Sequence, residues 1–450
     1  MAKTATFLSV AVAAALAPAP ASAQAPGQTL AVTPGIARAT FDSAWSRINA
    51  TYYDTAFLAT RWVALRDSLG PIAARAKNNA ELRAVIQTLI SNVHASHFGL
   101  IGAELTSALG EPAVTANSAA PGDIGASLRL IGSSLVVWRA DSGGAAWQRG
   151  VRPGMQVRGI DHNTVGAEMA RLGEIGDSGV RRQARVTGVM RANAQLTGSV
   201  GDTVTLDVAQ IASPLGIARG PVRGTVVRFG NLPPIDAIVD SYERTVNGPN
   251  GAKRVAVIAW SVWLPAVAAK IDDAFFRARE ADAIVIDLRG NPGGLAAMTN
   301  GIAGHLLDSA RALGTLRLRG TSLQLAANPR SVTPDGRRVG VFAGPVAIVV
   351  DGLTGSASEF FAAGLQGLGR ARVFGEVSAG ASLPAVLDRL PNGDILMHAI
   401  ADHVDSRGRR VEGVGVIPDL VVPLTVASLV AGRDDALDAA VRWAAAQSHK

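Results

Sequence analysis

From Arg254 onward the chain alternates continuous apolar runs with helical stretches, and few folds accept that pattern. Val255 to Ala259, Ala283 to Leu288 and Val346 to Val350 are apolar at nearly every position. Leu264 to Glu280, Ala296 to Leu307 and Ala357 to Leu368 read as helices. A strand without a polar face must be covered on both sides, which a parallel sheet with crossover helices achieves. Residues 251–450 are therefore expected to form an α/β core. The remainder of the 450 residues is long enough for further domains, and 48% hydrophobic against 18% charged residues supplies their cores.

Upstream the periodicity differs. Phe41, Trp45, Ile48 and Tyr52, then Leu82, Val85, Ile86, Leu89, Ile90 and Val93, recur at helical spacing, so 24–112 is expected to be a helical N-terminal region. A loop over Gly110 to Gly122 opens a β-rich stretch, 113–210. Its strands are expected near Ile124 to Leu130, Leu135 to Trp138, the end of Gly144 to Asp161, and Val204 to Ala209. Residues 211–250 read as a Gly/Pro-punctuated connector. Residues 1–23 read as a secretory leader, with Lys3, an apolar run from Ala5 to Leu16, and Ala21-Ser22-Ala23 before Gln24. A run of about 12 residues is short of the ~20 that cross a bilayer, and no later segment reads as a membrane span.

Composition excludes several chemistries. There is no cysteine, hence no disulfide, thiolate metal site or cysteine nucleophile. The formal charge is +7, but its arginines are scattered, which argues against nucleic-acid binding. The basic residues are 38 Arg and five Lys, at 3, 77, 253, 270 and 450. This Arg-for-Lys bias, with abundant Ala and Gly, fits a GC-rich bacterial genome and so a periplasmic destination. No Walker phosphate loop, HExxH helix or G-x-S-x-G elbow is present.

What is present is a serine where a strand turns into a helix, at Val350-Asp-Gly-Leu-Thr-Gly-Ser356-Ala-Ser-Glu359. Free N–H groups and the helix dipole favour negative charge there, with the Ala357 N–H as a natural oxyanion donor. The same serine could simply cap the helix. A second loop, Asp287-Leu-Arg289-Gly-Asn-Pro-Gly293-Gly294, ends a buried strand and can present N–H groups at the sheet's C-terminal edge.

In order, these pieces resemble the C-terminal processing (tail-specific) proteases and their relatives with the tricorn core. Gly144-Ala-Ala-Trp-Gln-Arg-Gly-Val-Arg-Pro-Gly154 is similar to the helix and turn of that family's inserted PDZ domain. Asp287 to Gly294 resembles its Asp-Leu-Arg-x-Asn-x-Gly-Gly loop, and Ser356-Ala-Ser-Glu359 its nucleophile motif. Gly375-Glu376 and Gly413-Val-Gly-Val-Ile-Pro-Asp419 resemble its closing motifs. The resemblance implies a ClpP/crotonase-like α/β core, a PDZ-like β-rich insert and no metal or other cofactor. It also implies that Ile124, Gly125, Ala126 and Ser127 form a loop that receives a peptide's C-terminal carboxylate.

One position departs from the pattern. The tail-specific branch has a lysine general base after Gly-Glu, but Ala381 stands there, and no lysine lies between Ser356 and Lys450. The tricorn-like branch implies a substitute: His97, in Ala95-Ser-His-Phe98, as base, and Glu412 orienting it directly or through an intermediary. His94 is a rival to His97, and His403 a weaker one. His398 reads as structural, Ser358 as a cap, and Glu359 as a dipole partner without catalytic duty. Glu412 could instead be a loop carboxylate paired with Arg409 or Arg410.

The expectation is an exported serine endopeptidase with protein or peptide substrates. Ser356 is its nucleophile, and Ala357 with Gly293 or Gly294 holds the oxyanion. An oligomer is compatible with the sequence. The alternatives are a non-catalytic binding protein on the same fold and an esterase.

Overall fold

The computed structural model describes residues 31–103, 120–176, 178–211, 223–232, 238–248, 251–333 and 335–448. The expected leader over 1–23, most of the 110–122 loop and parts of 211–250 lie outside the described residues. Among the described residues no helix is long and apolar enough to cross a membrane.

Three helices open the chain: α1 (Pro34–Thr51), α2 (Val63–Ala73) and α3 (Asn79–Ser91). Thr33 caps α1 with Pro34 in its first turn, and Asn78 caps α3. Phe41, Ile48, Leu82, Ile86 and Leu89 share one buried core, as their spacing predicts. Trp45 and Trp62 lock α1 to α2, each indole N–H donating to the other residue's carbonyl. After α3 the backbone turns through left-handed conformations at His94 and His97 and enters β1 (Gly99–Ile101).

The β-rich insert contains β2 (Ala126–Ile131), β3 (Ser134–Ala140), a short helix α4 (Ala145–Gln148) and β4 (Gln156–Ile160). Helices α5 (Gly166–Gly173) and α6 (Ser178–Ala194) follow, then β5 (Thr203–Ala209) and β6 (Arg223–Arg228). The strands pair antiparallel in the order β2-β3-β4-β5-β6.

The 211–250 connector is therefore corrected. Thr225 and Val227 alternate inward, so β6 completes the insert sheet. β7 (Val239–Gly248) already belongs to the core, as a ten-residue antiparallel partner of β8 (Gly251–Trp260). An edge strand needs apolar residues on one face alone, and Asp-Ser-Tyr-Glu-Arg-Thr-Val satisfies that without a continuous apolar run.

The core continues through α7 (Pro265–Ala278), β9 (Ala283–Asp287), α8 (Ala297–Ala303) and the hairpin β10 (Arg311–Leu318) and β11 (Thr321–Ala327). Next come β12 (Val346–Val350), α9 (Ala357–Gly367) and β13 (Arg372–Gly375). β14 (Ala385–Arg389), β15 (Ile395–Ala399), β16 (Ala401–Asp405), β17 (Leu420–Val421) and α10 (Asp435–Gln447) finish the chain. The main sheet runs β7-β8-β9-β12-β13-β17, parallel from β8 onward. Every residue of β9 and β12 is buried. Ile284, Ile286 and Ile348 pack against α7, α8 and α9, while Val285, Ala347 and Val349 pack against α10. This two-sided burial is what the apolar runs demanded.

The helix at 296–307 is shorter than its pattern. A Cβ on Gly304 would lie 2.3 Å from the Asn328 carbonyl, so a crossing backbone ends α8 there.

Two pairings assemble the site. β9 and β12 lie side by side, with Asp287 opposite Val349, so the loops 288–294 and 351–356 leave the same sheet edge together. β1 pairs with β15, Gly99 opposite Met397, which ties the segment just past His97 to the far end of the chain.

Candidate active site

Ser356 sits at the foot of α9 with φ 51° and ψ −119°, a conformation costing about 1–3 kcal/mol for a residue with a side chain. Its surroundings hold it there. Its N–H donates to the Ala381 carbonyl at 2.9 Å and to Glu359 Oε2 at 3.1 Å. Glu359 is fully buried and also accepts from Ser378 Oγ, Gly380 N and Ala381 N at 2.5, 2.7 and 3.0 Å. One carboxylate thus ties the Ser356 turn to the 378–381 loop, a larger role than a dipole partner. Burial pushes its pKa up to about 7 against those donors.

The Ser356 hydroxyl lies 3.2 Å from His97 Nε2. On the other side of the imidazole, Nδ1 lies 2.8 Å from Ser96 Oγ. Ser96 Oγ donates to Glu412 Oε2 at 2.9 Å. With the Ser96 proton spent on Glu412, its oxygen must accept from His97, which fixes the Nδ1–H tautomer and leaves the Nε2 lone pair facing Ser356. Burial lowers the His97 pKa to about 4, so the ring is neutral at pH 7.

Each oxygen of Glu412 takes two donors. Oε1 accepts from Ser96 N and Gln183 Nε2, at 2.9 and 3.1 Å. Oε2 accepts from Ser96 Oγ and Ser382 N, at 2.9 and 2.8 Å. Burial raises its pKa and the N–H groups oppose that. The suspected partners are engaged elsewhere, Arg409 with Asp405 and Arg410 with Asp402.

The oxyanion candidates separate by their hydrogen bonds. Gly293 N already donates to Asn291 Oδ1 at 3.0 Å, whereas Gly294 N and Ala357 N have no partner among the described residues. Gly293 matters for space instead. At φ 107° a Cβ there would lie 2.5 Å from Ser356 Cβ and 2.9 Å from Ala357 N.

A half-open cavity of about 210 Å³ meets these groups. His97, Pro292 and Ala381 line its floor, and Val186, Thr187 and Met190 of α6 form one wall. A single helix of the insert therefore faces the cavity and touches Glu412.

The rival residues lie elsewhere. His94 is exposed. His398 contacts Asp388 and Thr51, and His403 is buried in β16 with its ring 4.0 Å from that of Phe360. Ser358 accepts from the Trp263 indole at 2.8 Å.

The expectation that Ile124 to Ser127 receives a peptide carboxylate is corrected. Ile124 N donates to Leu196 O and Gly125 N to the Asp123 carboxylate. Ala126 and Ser127 are paired with β3. Asn193 of α6 brackets Leu128, donating to its carbonyl and accepting from its N–H, which closes the groove beside β2. The loop also stands beside Asp141, whose pKa burial and Asp123 push up to about 6. Two carboxylates, Asp123 and Asp141, stand beside this turn. Among the described residues no group of three or more His, Cys, Asp or Glu could hold a metal ion.

Sequence reasoning missed Ser96 as the intermediary, Gln183, and the anchoring role of Glu359. The signal for Ser96 was its place beside His97 at the end of a helix, indistinguishable from an ordinary turn serine.

Residues 254–422 match the model of Peptidase family S41, and residues 37–91 match the Tricorn protease C1 domain. Among curated relatives, the carboxyl-terminal-processing protease of Picosynechococcus sp. is 28% identical over 53% of this chain and 53% of its own. That of Synechocystis sp. is 24% identical over 84% of this chain and 79% of its own. The chain thus spans about half the length of the first of these relatives and about four fifths of the second. The solved photosystem II D1 C-terminal processing protease aligns with TM-score 0.59 at 18% identity, over 86% of this chain and 93% of that one. Mature CPAF aligns with TM-score 0.59 at 14% identity, over 88% and 94%. At such identities the structures establish the mixed α/β fold.

Proposed function

We propose that this chain, a serine-type peptidase bearing an S41 domain over 254–422, is an exported endopeptidase that cleaves proteins or peptides through an acyl-enzyme on Ser356. The observation that carries the reading is the unbroken hydrogen-bonded relay Ser356–His97–Ser96–Glu412. The ClpP/crotonase-like core, the PDZ-like insert and the periplasmic destination belong to the same reading.

In the first step His97 Nε2 takes the Ser356 proton as Oγ attacks a substrate carbonyl. Positive charge then forms on the imidazole, and Nδ1–H passes its influence through Ser96 to the Glu412 carboxylate. The tetrahedral oxyanion is received by the Ala357 and Gly294 N–H groups, which have no other partner among the described residues. His97 protonates the leaving amine, an acyl-enzyme remains, and a water deprotonated by His97 releases it. A base already neutral at pH 7 removes the need for a lysine at 381.

The test is labelling of the purified chain with a fluorophosphonate probe, with the adduct located by mass spectrometry. An adduct on Ser356 that vanishes in His97→Ala supports the relay. No adduct on a folded chain supplied with peptides overturns it in favour of the binding-protein alternative. An adduct with turnover of esters but not of peptides favours the esterase.

A further inference from the structure

Beside the catalytic cavity lies a second one of about 310 Å³, and Val186 and Leu353 line both. Its α6 wall presents Arg181, Arg182 and Arg185, and β2 contributes Arg129. Arg129 is neutralised, donating to Asp351 at 2.7 Å with its guanidinium 3.9 Å from the Trp138 ring centre.

The other three form no ion pair among the described residues. Arg181 donates a guanidinium N–H to the Ile175 carbonyl and Arg185 one to that of Gly132, contacts that orient the two heads without placing a carboxylate in hydrogen-bond reach of them. Arg182 is more telling. Its Nε is buried without a hydrogen-bond partner, and burial pulls its pKa down. The acid in the lining, Glu376, is pushed up to about 7 by burial and by Asp351, which weakens it as a counter-ion. For Arg182 the distant Glu359 charge does not offset its desolvation, and an anion in the cavity would relieve that cost.

The identity of the anion follows from continuity with the catalytic cavity, an argument that rests on the peptidase reading above. Peptides carry carboxylates, on Asp and Glu side chains and at the C terminus. The Ile124 to Ser127 turn is poorly suited to one, since the Ile124 and Gly125 N–H groups are donated and Asp123 and Asp141 flank it. Guanidinium groups match a carboxylate in two-pronged geometry. We propose that the cavity between α6 and the 351–353 turn is a substrate subsite for a peptide carboxylate, with Arg182 as its main donor and Arg181 and Arg185 around it. Gln183, the next residue, touches Glu412, so subsite and relay share one helical turn.

The test uses the Ser356→Ala chain, which holds peptides without turning them over. Fluorescein-labelled Ala/Leu decapeptides carry one Glu at successive positions, each with a Gln twin and with a free or amidated C terminus. Fluorescence anisotropy reads affinity. At least one carboxylate is expected to favour binding by about tenfold or more, the size of one charge-assisted hydrogen bond. The Glu/Gln comparison identifies a side-chain source, and the free/amide comparison a terminal one. Adding Arg182→Gln or Arg185→Gln brings the ratio close to one, while Arg61→Gln, an exposed arginine elsewhere, preserves it.

Ratios unchanged in the two α6 variants, no carboxylate preference, or no measurable binding overturn the subsite. If the intact chain hydrolyses none of these peptides but arginine-dependent binding persists, the catalytic reading fails and the subsite stands. Hydrolysis without any carboxylate preference has the opposite meaning.

Discussion

Ser96→Ala removes one oxygen and leaves the rest of the site in place. That oxygen accepts from His97 at 2.8 Å and donates to Glu412 at 2.9 Å. Glu412 keeps the N–H groups of Ser96 and Ser382 and the Gln183 amide, so the buried carboxylate is not stranded. What disappears is control of the imidazole. Nδ1–H loses its acceptor, the tautomer is no longer fixed, and the imidazolium loses its link to negative charge. A hydrogen bond to a charged group contributes about 1.5–3 kcal/mol. At about 1.36 kcal/mol per tenfold change, kcat falls roughly 10- to 150-fold, well short of the complete loss expected for Ser356→Ala. The assay is hydrolysis of an internally quenched peptide with kcat and KM resolved, alongside Tm and the hydroxyl-keeping Ser96→Thr. Threonine is expected to recover most of the rate. A Ser96→Ala chain of native Tm whose kcat stays within about twofold of the native value would refute the relay.

Other outcomes follow from the same geometry. In the proposed mechanism His97 works as a neutral base and burial lowers its pKa, so kcat/KM should fall as pH drops through about 4; a midpoint near the ordinary histidine value of about 6.5 contradicts this. His403 is fully buried with neither ring nitrogen hydrogen-bonded and its pKa lowered to about 4, so the unfolded chain binds its proton more readily and stability is lost as pH falls from about 6.5. His403→Phe should therefore gain about 2 kcal/mol more at pH 5 than at pH 8 in urea unfolding, and equal effects at both pH values would dismiss the idea. Gly293→Ala would set a Cβ 2.5 Å from Ser356 Cβ, so fluorophosphonate labelling should drop below detection; labelling at the native rate would show that the loop yields.

The parts of the fold legible in the sequence are those where one element alone declares its surroundings. Val346 to Val350 has no polar face, so burial on both sides could be read directly. β7 could not be, because Asp240, Glu243 and Arg244 are ordinary for an edge strand and equally for a loop. Ser356, His97 and Glu412 were findable because a resemblance supplied their motifs. Ser96 was not, since its role exists once Glu412, 316 residues away, arrives against it. α6 was the largest omission. Ser-Gly-Val-Arg-Arg-Gln-Ala-Arg has no apolar stripe, because the first half of that helix faces cavities and a carboxylate, and only its second half, with Val189 and Ala192, reaches the insert's core. The Ile124 to Ser127 expectation failed for a related reason. A turn of the right composition says nothing about whether its N–H groups are already spent.

The relay joins segments 259 and 316 residues apart, and one of its donors comes from the insert between them. A chain emerging N-terminus first carries His97 early, but it has no complete relay until residue 412 has been made and β1 has found β15. Closing contacts of that separation is slow, so hydrolytic capacity appears late in maturation. Catalysis thus reports completion of the fold, and a copy in which β1 has not yet met β15 lacks the relay.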